Sequence, residues 1–275
     1  MRTVYLGTSA FAAGLLERLA ATPHRPVLAV TRPDRPAGRG RRISAPPVAE
    51  TARALGIDLD QPEDVNSPEA RARIAAADPE VVIVCAFGAL LREPLLSEFD
   101  LLNVHPSLLP RWRGAAPIER AIMAGDAETG VSIMKVTAGL DSGPVCLSAV
   151  EPIRPDDTYE TLAERLERLG AELLIRALDE RPPCVDQDDE RATYAEKIGA
   201  ADRTLDPAAP AEEQARVVRA LSPHIGARLP LPDGSFLGVR DARVAEDGTL
   251  ELLEVQPPGG RPMAYADYLR GHAAR

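Results

Sequence analysis

Glu80-Val81-Val82-Ile83-Val84-Cys85-Ala86 is apolar throughout after its first residue. A strand with one wet face alternates polar and apolar side chains, whereas a strand buried on both faces does not. Such a run, bounded by helical patterns, belongs to the middle of a parallel sheet with helices on either side. Working outward, Thr3 to Leu6, Pro26 to Thr31 and Leu101 to Val104 read as further strands, and Thr129 to Lys135 as an edge-like one. Helices are expected between them, over Ala10 to Ala21, Pro46 to Leu55, Ser67 to Ala77, Glu93 to Phe99 and Ala115 to Ala124. Phe11, Leu15, Leu16 and Leu19 share one side of the first. Pro46-Pro47 suits a helix start, as does Ser67-Pro68-Glu69-Ala70. This alternation predicts an α/β fold: a doubly wound, mostly parallel, Rossmann-like sheet that binds ligands at the carboxyl ends of its strands. Gly7 and Gly14 lack the spacing of a dinucleotide fingerprint, which argues against a nicotinamide cofactor.

Farther along, Asp157 to Ala177 reads as a long helix with Tyr159, Leu162, Leu166, Leu169, Leu173 and Leu174 on one stripe. Glu180 to Asp189 is acidic and proline-bearing, a loop, and Ala201 to Pro210 reads as a linker. Glu212 to Leu221 is a further helix. Gly238 to Arg243 and Thr249 to Val255 are β-like, and Tyr265 to Gly271 is a short closing helix. The expected division is a large domain over 1–200, a linker over 201–210 and a small β-barrel-like domain over 211–275.

The 275 residues are 45% hydrophobic without an apolar run long enough to cross a bilayer, and Met1 to Gly7 has no signal-peptide layout. A soluble, cytoplasmic protein is expected. Three cysteines (Cys85, Cys146, Cys184) are too few and too scattered for a disulfide framework or a zinc site. Cys85, inside the apolar run, reads as core filler. A net charge of −10 argues against a surface that holds nucleic acid everywhere. Charge is uneven, however: Thr31 to Val48 carries five arginines (Arg32, Arg35, Arg39, Arg41, Arg42) against Asp34 alone.

The chemistry concentrates in Asn103-Val104-His105-Pro106-Ser107-Leu108-Leu109-Pro110-Arg111-Trp112-Arg113-Gly114 and in Gly139-Leu140-Asp141-Ser142-Gly143. Asn103 and His105 are two apart on an extended segment, so their side chains point the same way. Asp141 lies in a glycine-flanked turn that can come close to a ligand. An amide can stabilise an oxyanion, an imidazole can handle a proton, and a carboxylate can fix the charge of the imidazole. Together they suffice for acyl transfer without a metal or a covalent intermediate. Each residue also has a plainer reading: a strand-end turn cap for Asn103, a hydrogen-bonded structural histidine for His105, a turn aspartate for Asp141.

Asn-x-His-x-Ser-Leu-Leu-Pro with a later Gly-Leu-Asp-x-Gly resembles the folate-dependent formyltransferases, over most of residues 1–200 and more weakly near the C-terminus. The resemblance implies Asn103, His105 and Asp141 as the catalytic trio and 10-formyltetrahydrofolate as formyl donor. It implies that Phe87, Gly88 and Leu90 belong to a pterin pocket and that Ser107, Leu108, Leu109 and Pro110 lie against the folate. Arg39, Gly40, Arg41 and Arg42 resemble an insertion that grips a tRNA acceptor stem, and Arg111, Trp112 and Arg113 could add contacts beside the site. Within the family these features point to methionyl-initiator tRNA as acceptor. An amino-sugar nucleotide or another small amine is the alternative, and an idle folate-binding module is the non-enzymatic one. No membrane contact is expected, and the chain is expected to act as a monomer. The C-terminal part departs from the family: the span between the Ala215–Leu221 helix and Leu253-Glu254-Val255-Gln256-Pro257 is several strands short, and over Asp206 to Arg275 ten acidic residues outnumber eight arginines.

Overall fold

The computed structural model describes residues 1–37 and 42–272. The chain forms two compact units, one of residues 1–113, 130–151 and 164–193, the other of residues 114–129, 152–163 and 194–275.

The first unit is organised by a seven-stranded sheet: β1 (Thr3–Gly7), β2 (Pro26–Val30), β3 (Asp58–Asp60), β4 (Val81–Cys85), β5 (Leu101–His105), β6 (Glu128–Lys135) and β7 (Val145–Pro152). Their order is β7-β6-β5-β4-β1-β2-β3. β1 runs parallel to β2 and β4, β2 to β3, and β4 to β5, whereas β6 is antiparallel to β5. Every residue of β1 and of β4 is buried, which is why the sequence shows no alternation there. Helices α1 (Ala10–Ala20), α2 (Pro47–Leu55) and α3 (Pro68–Ala76) connect the early strands, and the short α4 (Leu95–Glu98) precedes β5. α1 buries Phe11, Leu15, Leu16 and Leu19. Ser9 and Ser67 cap α1 and α3 by accepting from the amides of Ala12 and Ala70, bonds worth about 1 kcal/mol each. The strand order reverses between β1 and β4, where an open α/β sheet splits to admit a ligand. There the Thr8 hydroxyl donates to the Phe87 carbonyl at 2.7 Å, tying the two strand ends together.

Two expectations need correction, and two strands are absent from the sequence reading. Thr129 to Lys135 is not at the edge: β6 has β5 on one side and β7 on the other. Its interior is buried, and a Cβ on Gly130 would lie 2.1 Å from the Ala149 carbonyl oxygen, so close approach demands the glycine. The strand beyond it, Val145–Pro152, has no buried residue, and its apolar residues Val145, Cys146, Leu147, Ala149 and Val150 are broken up by Ser148. Asp58–Asp60, too short and polar to read as a strand, forms the opposite edge. Finally, Cys146 and Cys184 are disulfide-bonded across 38 residues of sequence. Val145 and Val185 exchange backbone hydrogen bonds beside them at 2.8 and 2.9 Å, a neighbourhood that spacing alone cannot show. Cys85 is fully buried, and burial pushes its thiol up to about 12, so it stays protonated and inert at neutral pH.

In the second unit, α5 (Pro117–Ala124) and α6 (Ala211–Leu221) accompany a four-stranded antiparallel sheet: β8 (Ala227–Pro230), β9 (Phe236–Val244), β10 (Leu250–Gln256) and β11 (Met263–Ala264), in that order. Leu205, Val218, Leu221, Ala227, Val239 and Ala242 make its core. Three of its arginines are engaged locally: Arg228 lies 3.9 Å from the Phe236 ring, Arg240 donates to Gln256, and Arg243 pairs with Glu251 at 2.6 Å. Among the described residues no helix is long and apolar enough to cross a membrane.

Ile83, at the centre of β4, is fully buried. Ile83→Ala is expected to lower the unfolding free energy by about 2–5 kcal/mol, read from urea denaturation of the purified chain.

Candidate active site

β5 enters the core through Leu101 and Leu102 and emerges with Asn103 and His105 at its carboxyl end. His105 is 5% exposed. The chain returns through β6, and Asp141 follows in the turn before β7. The Asn103 side-chain Nδ2 donates to Asp141 Oδ1 at 3.4 Å, and His105 Nδ1 faces Asp141 Oδ2 at 3.7 Å. The latter distance suits an ion pair but exceeds a direct hydrogen bond. The three residues read as a trio are therefore brought together.

His105 Nε2 lies 2.9 Å from the Trp112 carbonyl oxygen. A carbonyl only accepts, so Nε2 carries the hydrogen. The neutral ring then presents the Nδ1 lone pair toward Asp141, and Nδ1 is the nitrogen left to take a proton.

Five non-glycine residues have a left-handed backbone among the described residues, and two of them, Trp112 and Asp141, belong to this site. Asp141 has a φ of 45°, a conformation that persists in a non-glycine residue only when its surroundings hold it. Gln187 does so: its Nε2 donates to the Asp141 carbonyl at 2.9 Å and to the Gly143 carbonyl at 2.7 Å. Gly143 is packed so closely that a Cβ there would lie 2.0 Å from the Lys135 carbonyl oxygen.

Phe87, Gly88 and Leu90, with Arg32, Val65 and Asn66, line a cavity of about 410 Å³. It opens one strand away from the trio, since Val84 of β4 is paired with Asn103 of β5. The trio itself is not part of its lining. Gly88 offers its carbonyl to Arg32 at 2.7 Å, Phe87 is buried, and Leu90 is exposed.

Ser107 is fully buried, and its hydroxyl donates to the Arg111 carbonyl at 2.6 Å, which shapes the loop. Leu108, Leu109 and Pro110 are partly exposed, and the Leu109 amide donates to the Ser132 hydroxyl. Ser132 donates in turn to the Ser107 carbonyl at 2.8 Å. Arg111 lies over the Trp112 ring at 4.4 Å.

Arg113 departs from its expected place among the phosphate contacts. Its side chain is 4% exposed, paired with Asp189 at 2.7 Å and donating from Nε to Gln187 Oε1 at 3.0 Å. A buried guanidinium with two internal partners is not presented to a polyanion. Arg42 pairs through its backbone with Ala37 in the two-stranded ribbon Arg35–Ala37 and Arg42–Ser44. Arg39, Gly40 and Arg41 lie outside the described residues.

Sequence reasoning missed Gln187, Ser132 and Thr193. Thr193 Oγ1 accepts from the Trp112 amide at 2.9 Å. Thr193 opens the stretch Thr193-Tyr194-Ala195-Glu196-Lys197-Ile198, which resembles the family's segment leaving the catalytic domain, but nothing in it points to Trp112. Gln187 and Ser132 carry no motif signal, and each of the three is distant in sequence from the residue it supports.

Residues 1–178 match the family model for formyl transferase. A methionyl-tRNA formyltransferase of Aromatoleum aromaticum is 41% identical, over 98% of this chain and 94% of its own length. The solved methionyl-tRNA formyltransferase from Clostridium thermocellum superposes with a TM-score of 0.69 at 14% identity, covering 96% of this chain and 99% of that one. HypX from Aquifex aeolicus, in complex with tetrahydrofolic acid, gives a TM-score of 0.70 at 16% identity, over 98% of this chain and 47% of HypX. The two structural likenesses speak for the fold. The chain belongs to the formyl transferase family and is an enzyme of that class. Within the family, the relatives that match it over nearly their full length at 41% identity are methionyl-tRNA formyltransferases.

Gly143→Ala is expected to displace the Asp141 turn and lower kcat by about 100-fold, with the far-ultraviolet circular dichroism spectrum unchanged. Wild-type kcat in a folded variant would show that the turn tolerates the shift.

Proposed function

We propose that this enzyme transfers the formyl group of 10-formyltetrahydrofolate to the α-amine of methionyl-initiator tRNA, supplying the formylated methionine of translation initiation. The observation that carries the chemical part is the convergence of Asn103, His105 and Asp141 at the carboxyl end of β5. The near-full-length likeness to methionyl-tRNA formyltransferases favours the tRNA acceptor over an amino sugar. A substrate of that kind puts the enzyme in the cytoplasm, and we infer that it works as a monomer.

The roles follow from the chemistry of the groups. Attack by the amine on the formyl carbon develops negative charge on the formyl oxygen, and the Asn103 amide is the donor aimed at it. His105 Nδ1 takes the proton that the attacking nitrogen must shed. Asp141, within ion-pair distance, stabilises the imidazolium that results. Collapse of the tetrahedral intermediate breaks the bond between the formyl carbon and N10 of the folate, and the proton held at His105 passes to the departing N10, so that tetrahydrofolate leaves and the neutral ring is restored. The Trp112 carbonyl fixes the ring so that only Nδ1 is available. The formyl donor fits the cavity beside Phe87 and Gly88, where strand-end backbone groups can read the hydrogen-bonding edge of a pterin. The arginine-rich segment from Arg39 to Arg42 and Arg111 are assigned to the tRNA phosphates. Arg113 is not, because it faces inward.

Asn103→Ala is expected to lower kcat by about 10²- to 10³-fold, the effect of removing one oxyanion donor. The assay is formyl transfer measured side by side with methionyl-initiator tRNA and with an amino-sugar nucleotide. Transfer to the sugar alone would overturn the acceptor assignment, and undiminished turnover by the variant would overturn the role of Asn103. Affinity for tRNA is expected to fall steeply between about 50 and 200 mM salt, as phosphate contacts release counterions. A flat response, measured by filter binding, would remove the arginine-rich segment from the interface.

A further inference from the structure

A closed ring of contacts joins the two loops of the site, made of hydrogen bonds, the Trp112–Arg113 peptide link and the 3.7 Å pairing of His105 with Asp141. From His105 it runs to the Trp112 carbonyl, and Arg113 is the next residue. Trp112 and Arg113 are both held by Thr193, through its hydroxyl at 2.9 Å and its carbonyl at 2.9 Å. Arg113 Nε donates to Gln187 Oε1, and Gln187 Nε2 donates to the carbonyls of Asp141 and Gly143. Asp141 faces His105 again.

The amide of Gln187 has one orientation that satisfies this ring. A guanidinium only donates and a backbone carbonyl only accepts, so Oε1 must face Arg113 and Nε2 must face the turn. Asp189 pairs with the same guanidinium, which keeps Arg113 in place. Farther along the same two segments, the Val145–Val185 bridge and the Cys146–Cys184 disulfide bring the Gln187 backbone alongside the Asp141 turn. The two carbonyls that Gln187 grips belong to the left-handed Asp141 itself and to Gly143, two residues on.

We propose that Gln187 is the positioning residue of the transfer reaction, holding the Asp141 turn so that its carboxylate faces Asn103 and His105, with Arg113 setting the orientation of the Gln187 amide. The inference rests on the reading of Asn103, His105 and Asp141 as the catalytic trio. Gln187 touches neither substrate in this scheme. Its effect reaches the reaction only through Asp141.

The test compares Gln187→Leu, Gln187→Glu, Asp141→Asn and the double variant Gln187→Leu/Asp141→Asn with the parent enzyme, using 10-formyltetrahydrofolate and methionyl-initiator tRNA. Gln187→Leu and Gln187→Glu both remove the two donors at nearly constant volume, so if one fails to fold the other reports. Each is expected to lower kcat about 10- to 100-fold, the scale of a misplaced catalytic group. The KM values should stay within about threefold for both substrates, because no substrate contact is lost. In the Asp141→Asn background, Gln187→Leu should change kcat by less than about threefold, because residues that act as one unit are not additive. A loss that appears wholly in KM, a loss repeated in full in the Asp141→Asn background, or wild-type kcat in folded Gln187 variants would overturn the positioning role. Wild-type kcat in Asp141→Asn itself would overturn the trio, and this inference with it. A large loss in Asp141→Asn beside an active Gln187→Leu would leave the trio standing and sink the role of Gln187 alone.

Discussion

The sheet of the first unit is closed to water on both faces in its central strands, and that constraint shapes everything else. β1 and β4 contain only buried residues, so polar groups gather where the strands end. β5 runs beside β4 and obeys the same rule until Asn103 and His105. Asn103 and His105 stand at a strand terminus because unsatisfied polarity is not tolerated deeper in. The reversal of strand order between β1 and β4 then places the cavity beside Phe87 and Gly88 at the same end of the sheet.

Placing three side chains near one another is not enough to make a site. The His105 ring is fixed in one tautomer by the Trp112 carbonyl, and Asp141 is fixed in a left-handed turn by Gln187. Both supports reach across long stretches of chain, from Trp112 to Thr193 and from Asp141 to Gln187. A segment that reads as an undistinguished acidic loop thereby carries the side chain that shapes the turn. Arg113 illustrates the same point from the other direction. As part of an Arg-Trp-Arg run it looks like a phosphate ligand, yet its burial and its pairing with Asp189 and Gln187 make it part of the scaffold. Arg111, two residues away, keeps its place at the surface over Trp112.

Hydropathy was legible wherever burial imposed a period or removed one. The apolar run of β4, the striped α1 and the Ser67 start of α3 stand close to where the sequence places them. Strands whose exposure is mixed left no such trace. β7, half wet along its length, and β3, three residues with two aspartates, became visible only through their hydrogen-bonded neighbours. The position of β6 inside the sheet follows from β7 being there to cover it.

The sequence by itself determined the class of fold, the strand that carries Asn103 and His105, and the glycine-flanked turn around Asp141, since each is encoded by neighbours within a few positions. Tertiary structure alone decided which way Arg113 points, that Cys146 meets Cys184, that Ser107 is turned into its own loop, and that Gln187 grips the Asp141 turn. Those outcomes depend on contacts between segments tens of residues apart, and periodicity carries no information about which distant donor will meet which distant acceptor.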